Sequence, residues 1–127
     1  MQAISDTERL KSALDGVQLT QEYDDDEYDY QLAKINTVSK LILTHQERGS
    51  DRDIIFLEVG GWDHHEQLKE NLSYNLQELN KVIDTFQKEM ESQDMWNQVT
   101  MVVTSEFART LTANSGEGSD HGMYIVV

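Results

Sequence analysis

Apolar side chains at Leu32, Ile35, Val38, Leu41 and Ile42 recur every three or four positions between Tyr28 and Arg48. That period is the mark of an amphipathic helix. His45 continues the apolar face and reads as a core or interface residue, and Gly49 is placed to end the helix. A longer series follows the same rule: Leu68, Leu72, Leu76, Leu79, Ile83, Phe86 and Met90. It predicts a helix over 66–92 that buries Leu72, Leu76, Leu79, Ile83 and Phe86. Lys69, Glu70, Gln77 and Lys88 should face water. Two other segments have no helical period. Asp53–Val59 and Val99–Thr104 are almost continuously apolar and rich in β-branched residues, which predicts two strands buried on both faces. Strand, long helix and strand make a βαβ unit, whose strands should be parallel with a right-handed crossover. The expected fold class is therefore α/β, with a parallel βαβ core and an extra N-terminal helix.

The two ends differ from this core. Residues 1–27 are polar, with a short helical stretch through Leu10, Leu14 and Val17 and then the acidic run Glu22–Glu27. The run lacks the alternating ligands and central glycine of a calcium loop. It reads as a solvated linker that sets negative charge at the N-terminus of the next helix. Residues 108–122 are rich in Gly, Ser, Asn and Thr and read as a loop. Met123–Val127 has strand character with no polar tail after it, so we expect the chain to be a piece of a longer domain. It should be cut at its C-terminus and also at its N-terminus.

Charge adds one constraint. Ten Lys and Arg stand against 24 Asp and Glu, a formal net charge of −14. A field of that sign repels phosphates, which argues against nucleic acid or acidic lipid as a partner. An anionic substrate would be repelled too, unless bound cations reverse the sign locally. There are no cysteines, so disulfides and thiolate metal sites are excluded. No apolar run approaches the roughly 20 residues of a membrane span, and the first residues lack the layout of a signal peptide. At 127 residues, 38% hydrophobic and 27% charged, the chain has the make-up of one ordinary globular domain at most.

Three polar clusters fall at the ends of the expected strands. They are Gly60-Gly-Trp-Asp63-His64-His65, Ser105-Glu106-Phe-Ala-Arg109 and Ser119-Asp120-His121-Gly122. Parallel strands would bring all three to one edge of a sheet, where ligands bind in open α/β folds. Two carboxylates and two imidazoles gathered there have the donor types of a mixed N/O site for zinc, manganese or a similar divalent ion. The other reading is also open. Asp63 sits where an N-cap for the long helix would sit, and loop ends are commonly polar.

These clusters, with Asn114-Ser-Gly between the second and third, resemble the linked motifs of domain-of-unknown-function family 1501. The likeness runs over about residues 28–127, in the same order and spacing. That family is related to alkaline phosphatases, sulfatases and cofactor-independent phosphoglycerate mutases. The resemblance implies a fragment of an alkaline phosphatase-like sandwich, in which Asp63, His65 and His121 ligate one metal. Glu106 would stand where the wider superfamily binds a second metal through Asp. Phe107 departs from that superfamily, which has a His ligand there. His64 replaces the usual Thr, Asp120 would orient His121 or cap the loop, and Arg109 would face a substrate oxyanion or make a salt bridge. The nucleophile and the first metal-binding Asp come from an upstream strand with no counterpart here, and Ser105 is not the nucleophile. The implied activity is metal-dependent hydrolysis of a small phosphate or sulfate ester by the intact parent, this chain alone being inactive. The alternative is a non-catalytic structural or binding module that keeps the fold. The resemblance leaves an exported location open.

Overall fold

The computed structural model describes residues 2–21 and 30–122. The acidic run at 22–27 and the expected last strand at 123–127 lie outside the described residues. Among the described residues there are four α-helices: α1 (Gln2–Asp15), α2 (Tyr30–Leu43), α3 (His45–Arg48) and α4 (Leu68–Ser92), with a 3-10 turn at Trp96–Gln98. The expected α/β core is not there. Among the described residues there is no strand and no sheet, only two isolated antiparallel bridges, Glu66–Glu117 and Arg109–His121. The parallel βαβ arrangement, and with it the alkaline phosphatase-like sandwich, is therefore overturned for this structure.

The physical reason lies in what an apolar run means. Such a run requires burial, and a strand within it requires a neighbour to take up its N–H and C=O groups. Neither condition is met at 53–59 or 99–104. Ile54 is 94% exposed, Phe56 86% and Val102 75%. Composition described the cover these segments would need, and no second layer supplies it among the described residues.

The chain divides into two compact units. One comprises Met1–Glu58 and Val82–Gln98; the other comprises Val59–Lys81 and Val99–Val127. The first unit holds the core. Leu32, Ile35 and Val38 of α2 are buried, as are Val82, Phe86 and Met90 of α4. Phe86 meets the Trp96 ring edge-on, at 6.4 Å between centroids, a favoured aromatic geometry. The expected helix of 28–48 is interrupted at Thr44. There the hydroxyl donates to the carbonyls of Lys40 (2.9 Å) and Leu41 (3.2 Å), a back-bond that bends helices. α3 then ends as the sequence suggested. Gly49 is left-handed (φ 65°), and Gly49 and Ser50 donate to the carbonyls of Gln46 and His45 at 3.0 and 2.9 Å. This is a Schellman closure.

Glu89 has no exposed surface, yet every polar atom of its carboxylate is used. Oε2 accepts from the backbone N–H groups of Thr20 (2.9 Å) and Gln21 (2.7 Å) and from the Thr20 hydroxyl (3.0 Å). Oε1 accepts from Gln93 at 3.1 Å. A buried carboxylate survives only when it is satisfied in this way, and here it ties residues 20–21 to α4.

The second unit takes the N-terminal part of α4. Lys69, Glu70 and Gln77 are exposed, and Leu72 and Leu79 are half-buried. Leu76, expected in the core, is 51% exposed, because no sheet covers that side of the helix among the described residues.

Candidate metal centre

Two loops of the second unit build the centre. The first, 60–67, turns at Gly61 (φ 88°) and Gln67 (φ 46°) and feeds into α4. The second, 108–122, folds back on itself. Gly122 N–H donates to Ala108 O at 2.6 Å, Thr110 to Asp120 at 2.9 Å and Asn114 to Gly118 at 2.9 Å. The loops are joined through backbone: Gln67 and Leu68 N–H donate to Gly116 and Glu117 O, both at 3.0 Å, and Ser119 donates to His64 O at 3.3 Å. The first donors of α4 are thus satisfied by carbonyls of the second loop. Asp63 does not cap this helix, and its carboxylate is left for other partners.

Contact between the loops is close enough to demand a specific residue. A Cβ on Gly118 would overlap the backbone carbonyl of His65, so only glycine fits the crossing. Asn114 fixes the turn beneath it. Its side-chain oxygen accepts from Gly116 N–H (3.0 Å) and Gly118 N–H (2.9 Å), while its amide donates to His65 O (3.0 Å) and Asp120 Oδ1 (3.1 Å).

This scaffold brings Asp63, His65 and His121 together, with one potential ligand atom of each within 4.8 Å of the others. Asp63 Oδ1 is the hub. His121 Nε2 lies 2.8 Å from it, His65 Nε2 3.1 Å, and Arg109 donates to it through Nη1. The Arg109 hydrogen bond, then that of His121, holds the Asp63 carboxyl well below its ordinary value, at about 2. The group is therefore an anion under all ordinary conditions. Asp120 Oδ1 lies 3.2 Å from His65 Nδ1, and its carboxyl is lowered chiefly by the Asn114 amide and then by His65. The Phe107 ring lies against His121, with centroids 4.1 Å apart and planes inclined by 30°.

One carboxylate oxygen and two imidazole nitrogens form a donor set that zinc or manganese accepts. The residues present therefore fit a divalent ion. The other expected site residues fall differently. Glu106 is exposed and stands outside the three-residue cluster. Arg109 is 17% exposed and is committed to the scaffold. Besides Asp63 it donates to His64 O (2.9 Å), Ser119 Oγ (2.9 Å) and Ser119 O. Four of its five N–H groups thus have acceptors inside the protein. His64 turns to α4, with Nε2 3.2 Å from the Asn75 amide. The Ser105 hydroxyl donates to Phe107 O at 2.8 Å. Asp120 meets His65, not His121.

Sequence reasoning missed the parts played by Asn114, Ser119 and Phe107. An Asn two residues before a Gly is a known turn former whose side chain bonds its own backbone, so Asn114 carried a readable signal. Ser119 and Phe107 carried none.

The comparisons with known proteins agree with the motifs. A family model described as protein of unknown function (DUF1501) matches residues 2–127. The chain belongs to that family, and the match takes in α1 as well as the motif-bearing region. No curated protein and no solved structure matches.

Proposed function

We propose that Asp63, His65 and His121 bind a divalent cation, zinc or manganese, and that the chain serves hydrolysis of a phosphate or sulfate ester. The reading rests on the kinship that the motif resemblance implies between this family and alkaline phosphatases and sulfatases, which work in this way. The observation that carries the reading is the convergence of these three side chains from two loops onto one point. A bound cation at that point supplies Lewis-acid polarisation of the ester oxygen.

The chain's own residues do the preparatory work. Asp63 is held ionised by Arg109 and His121, so it can ligate without first losing a proton. His121 is held against the Phe107 ring and His65 against Asp120, which limits their rotation. The net charge of −14 opposes an anionic ester, and a divalent ion reverses that sign where the ester must sit. Glu106 is the carboxylate this reading assigns to a second ion, a site that needs further ligands and is not expected to hold an ion tightly with Glu106 alone.

A second reading has its own support. Arg109 already balances the Asp63 charge, as it would in a module that keeps the loops for structure or binding without catalysis. Calorimetric titration with Zn²⁺ and Mn²⁺ tests the site, and one ion per chain is expected, bound by the wild type and lost in His65→Ala and His121→Ala. If both variants bind as the wild type does, the cations are collected elsewhere and the site is wrong. Turnover of p-nitrophenyl phosphate and p-nitrophenyl sulfate by the full-length gene product separates the two readings. Metal-dependent hydrolysis supports the first, and metal binding without turnover supports the second.

A further inference from the structure

Resting on the metal-centre reading, we propose that Asp120 is a positioning residue that locks the His65 ring so that Nε2 is the nitrogen offered to the ion. Both ring nitrogens of His65 face carboxylates: Nδ1 lies 3.2 Å from Asp120 Oδ1 and Nε2 3.1 Å from Asp63 Oδ1. The two carboxylates are not equivalent. Asp63 Oδ1 already accepts from Arg109 Nη1 and has His121 Nε2 at 2.8 Å. Among the described residues, Asp120 Oδ1 has only the Asn114 amide besides His65. A neutral imidazole has one N–H, and a carboxylate can only accept. The proton therefore goes to Nδ1, toward the less crowded acceptor, and the Nε2 lone pair is left pointing at the hub. A ligating imidazole held through its other nitrogen by a carboxylate is a recurrent way of fixing tautomer and ring orientation.

Asp120 is itself held. Its backbone N–H donates to Thr110 Oγ1 at 3.2 Å and its carbonyl accepts from Thr110 N–H at 2.9 Å. Asn114 can donate to Asp120 because its own oxygen is occupied by Gly116 and Gly118 N–H. That occupation also fixes which way the amide points. Asn114, Asp120 and His65 thus form a chain of hydrogen bonds running from the turn to the imidazole that faces the hub.

The test reads the ring directly. Nitrogen-15 spectra of the histidine side chains, recorded on the metal-free chain in alkaline buffer, report which nitrogen of His65 carries the proton. The expected result is the Nδ1–H form in the wild type. That preference should vanish in Asp120→Ala and weaken in Asp120→Asn, which keeps the size and an acceptor oxygen. Zn²⁺ affinity should fall by about tenfold to a hundredfold in Asp120→Ala, and by less in Asp120→Asn. A wild-type proton on Nε2 overturns the proposal, as does an unchanged tautomer with unchanged affinity in Asp120→Asn. If Asp120→Ala does not fold, Asp120→Asn still decides. A wild type that binds no Zn²⁺ yet shows the Asp120-dependent Nδ1–H form upholds the positioning and removes the metal reading alone.

Discussion

His121 Nε2 lies 2.8 Å from Asp63 Oδ1 across 58 residues of sequence, and the same oxygen takes an N–H of Arg109. One carboxylate oxygen is thus shared by a guanidinium and two imidazoles, and the two loops meet on it. Its charge has two uses, holding the loops together and offering a ligand.

Removing Arg109 should loosen the loops as well as alter the site. Its N–H groups reach four acceptors on three residues, and hydrogen bonds of this charged kind are worth about 1.5–3 kcal/mol each before losses overlap. Arg109→Ala should cost about 2–4 kcal/mol, read by denaturant titration of the second unit. Arg109→Lys should recover little, since an ammonium cannot span a fork of acceptors. Full recovery by Lys would mean that charge alone matters there.

Acid should find this tether late. The Asp63 carboxyl is lowered from 3.8 to about 2 in the folded chain. A depressed folded value means that the contribution is fully present above 3.8 and is lost as pH falls through about 2. Asp63→Asn should remove that part of the acid limb of a stability curve and leave the rest. Carbon-13 detection of the Asp63 carboxyl should show it ionised at pH 3, and a midpoint near 3.8 would contradict the geometry described.

Gly118→Ala should damage the crossing. The added Cβ overlaps the His65 carbonyl, and forced overlaps cost about 1–3 kcal/mol. Relief by moving the loop shifts His65 away from Asp63, so Zn²⁺ affinity should drop together with stability. Gly60→Ala, where nothing lies within 4 Å, serves as the control.

In α4 the cost of truncation should follow burial and not the heptad position. Phe86→Ala should cost about 3–5 kcal/mol, since the ring is buried against Trp96. Leu76→Ala should cost under about 0.5 kcal/mol, as expected for an exposed position. Equal losses at both, by chemical denaturation, would show that the exposed side of α4 is covered in solution.

The helices were legible because their signal is internal. Leu72 to Met90 announces α4 by spacing alone, and Gly49 announces the end of α3, since both depend on neighbours within a turn or two. The strands were misread because theirs is external. Ile54, Phe56 and Val102 state a need for cover, and sequence cannot say whether the cover is present. The site fell between these cases. Asp63, His65 and His121 could be singled out by residue type and by clustering at loop ends. Which imidazole Asp120 would meet depends on how the 108–122 loop folds back, and no local period encodes that. Arg109 reads from sequence as facing a substrate oxyanion or making a salt bridge, while its role as a four-acceptor clasp depends in part on the carbonyls of His64 and Ser119, which have no sequence signature.

The bare apolar segments bear on how the chain behaves in concentrated solution. Ile54, Phe56, Val102 and Val103 stand open to water in stretches of high β-propensity with no proline, the make-up of adhesive segments. Mutual repulsion from a charge of −14 is what opposes their adhesion, and its reach is set by ionic strength. The screening length is about 30 Å in 0.01 M salt and about 8 Å in 0.15 M. Colloidal stability should therefore be best in dilute buffer and fail on adding salt, the reverse of ordinary salting-in. Light scattering against sodium chloride would follow the change, and charged replacements at Phe56 and Val102 should move its onset to higher salt.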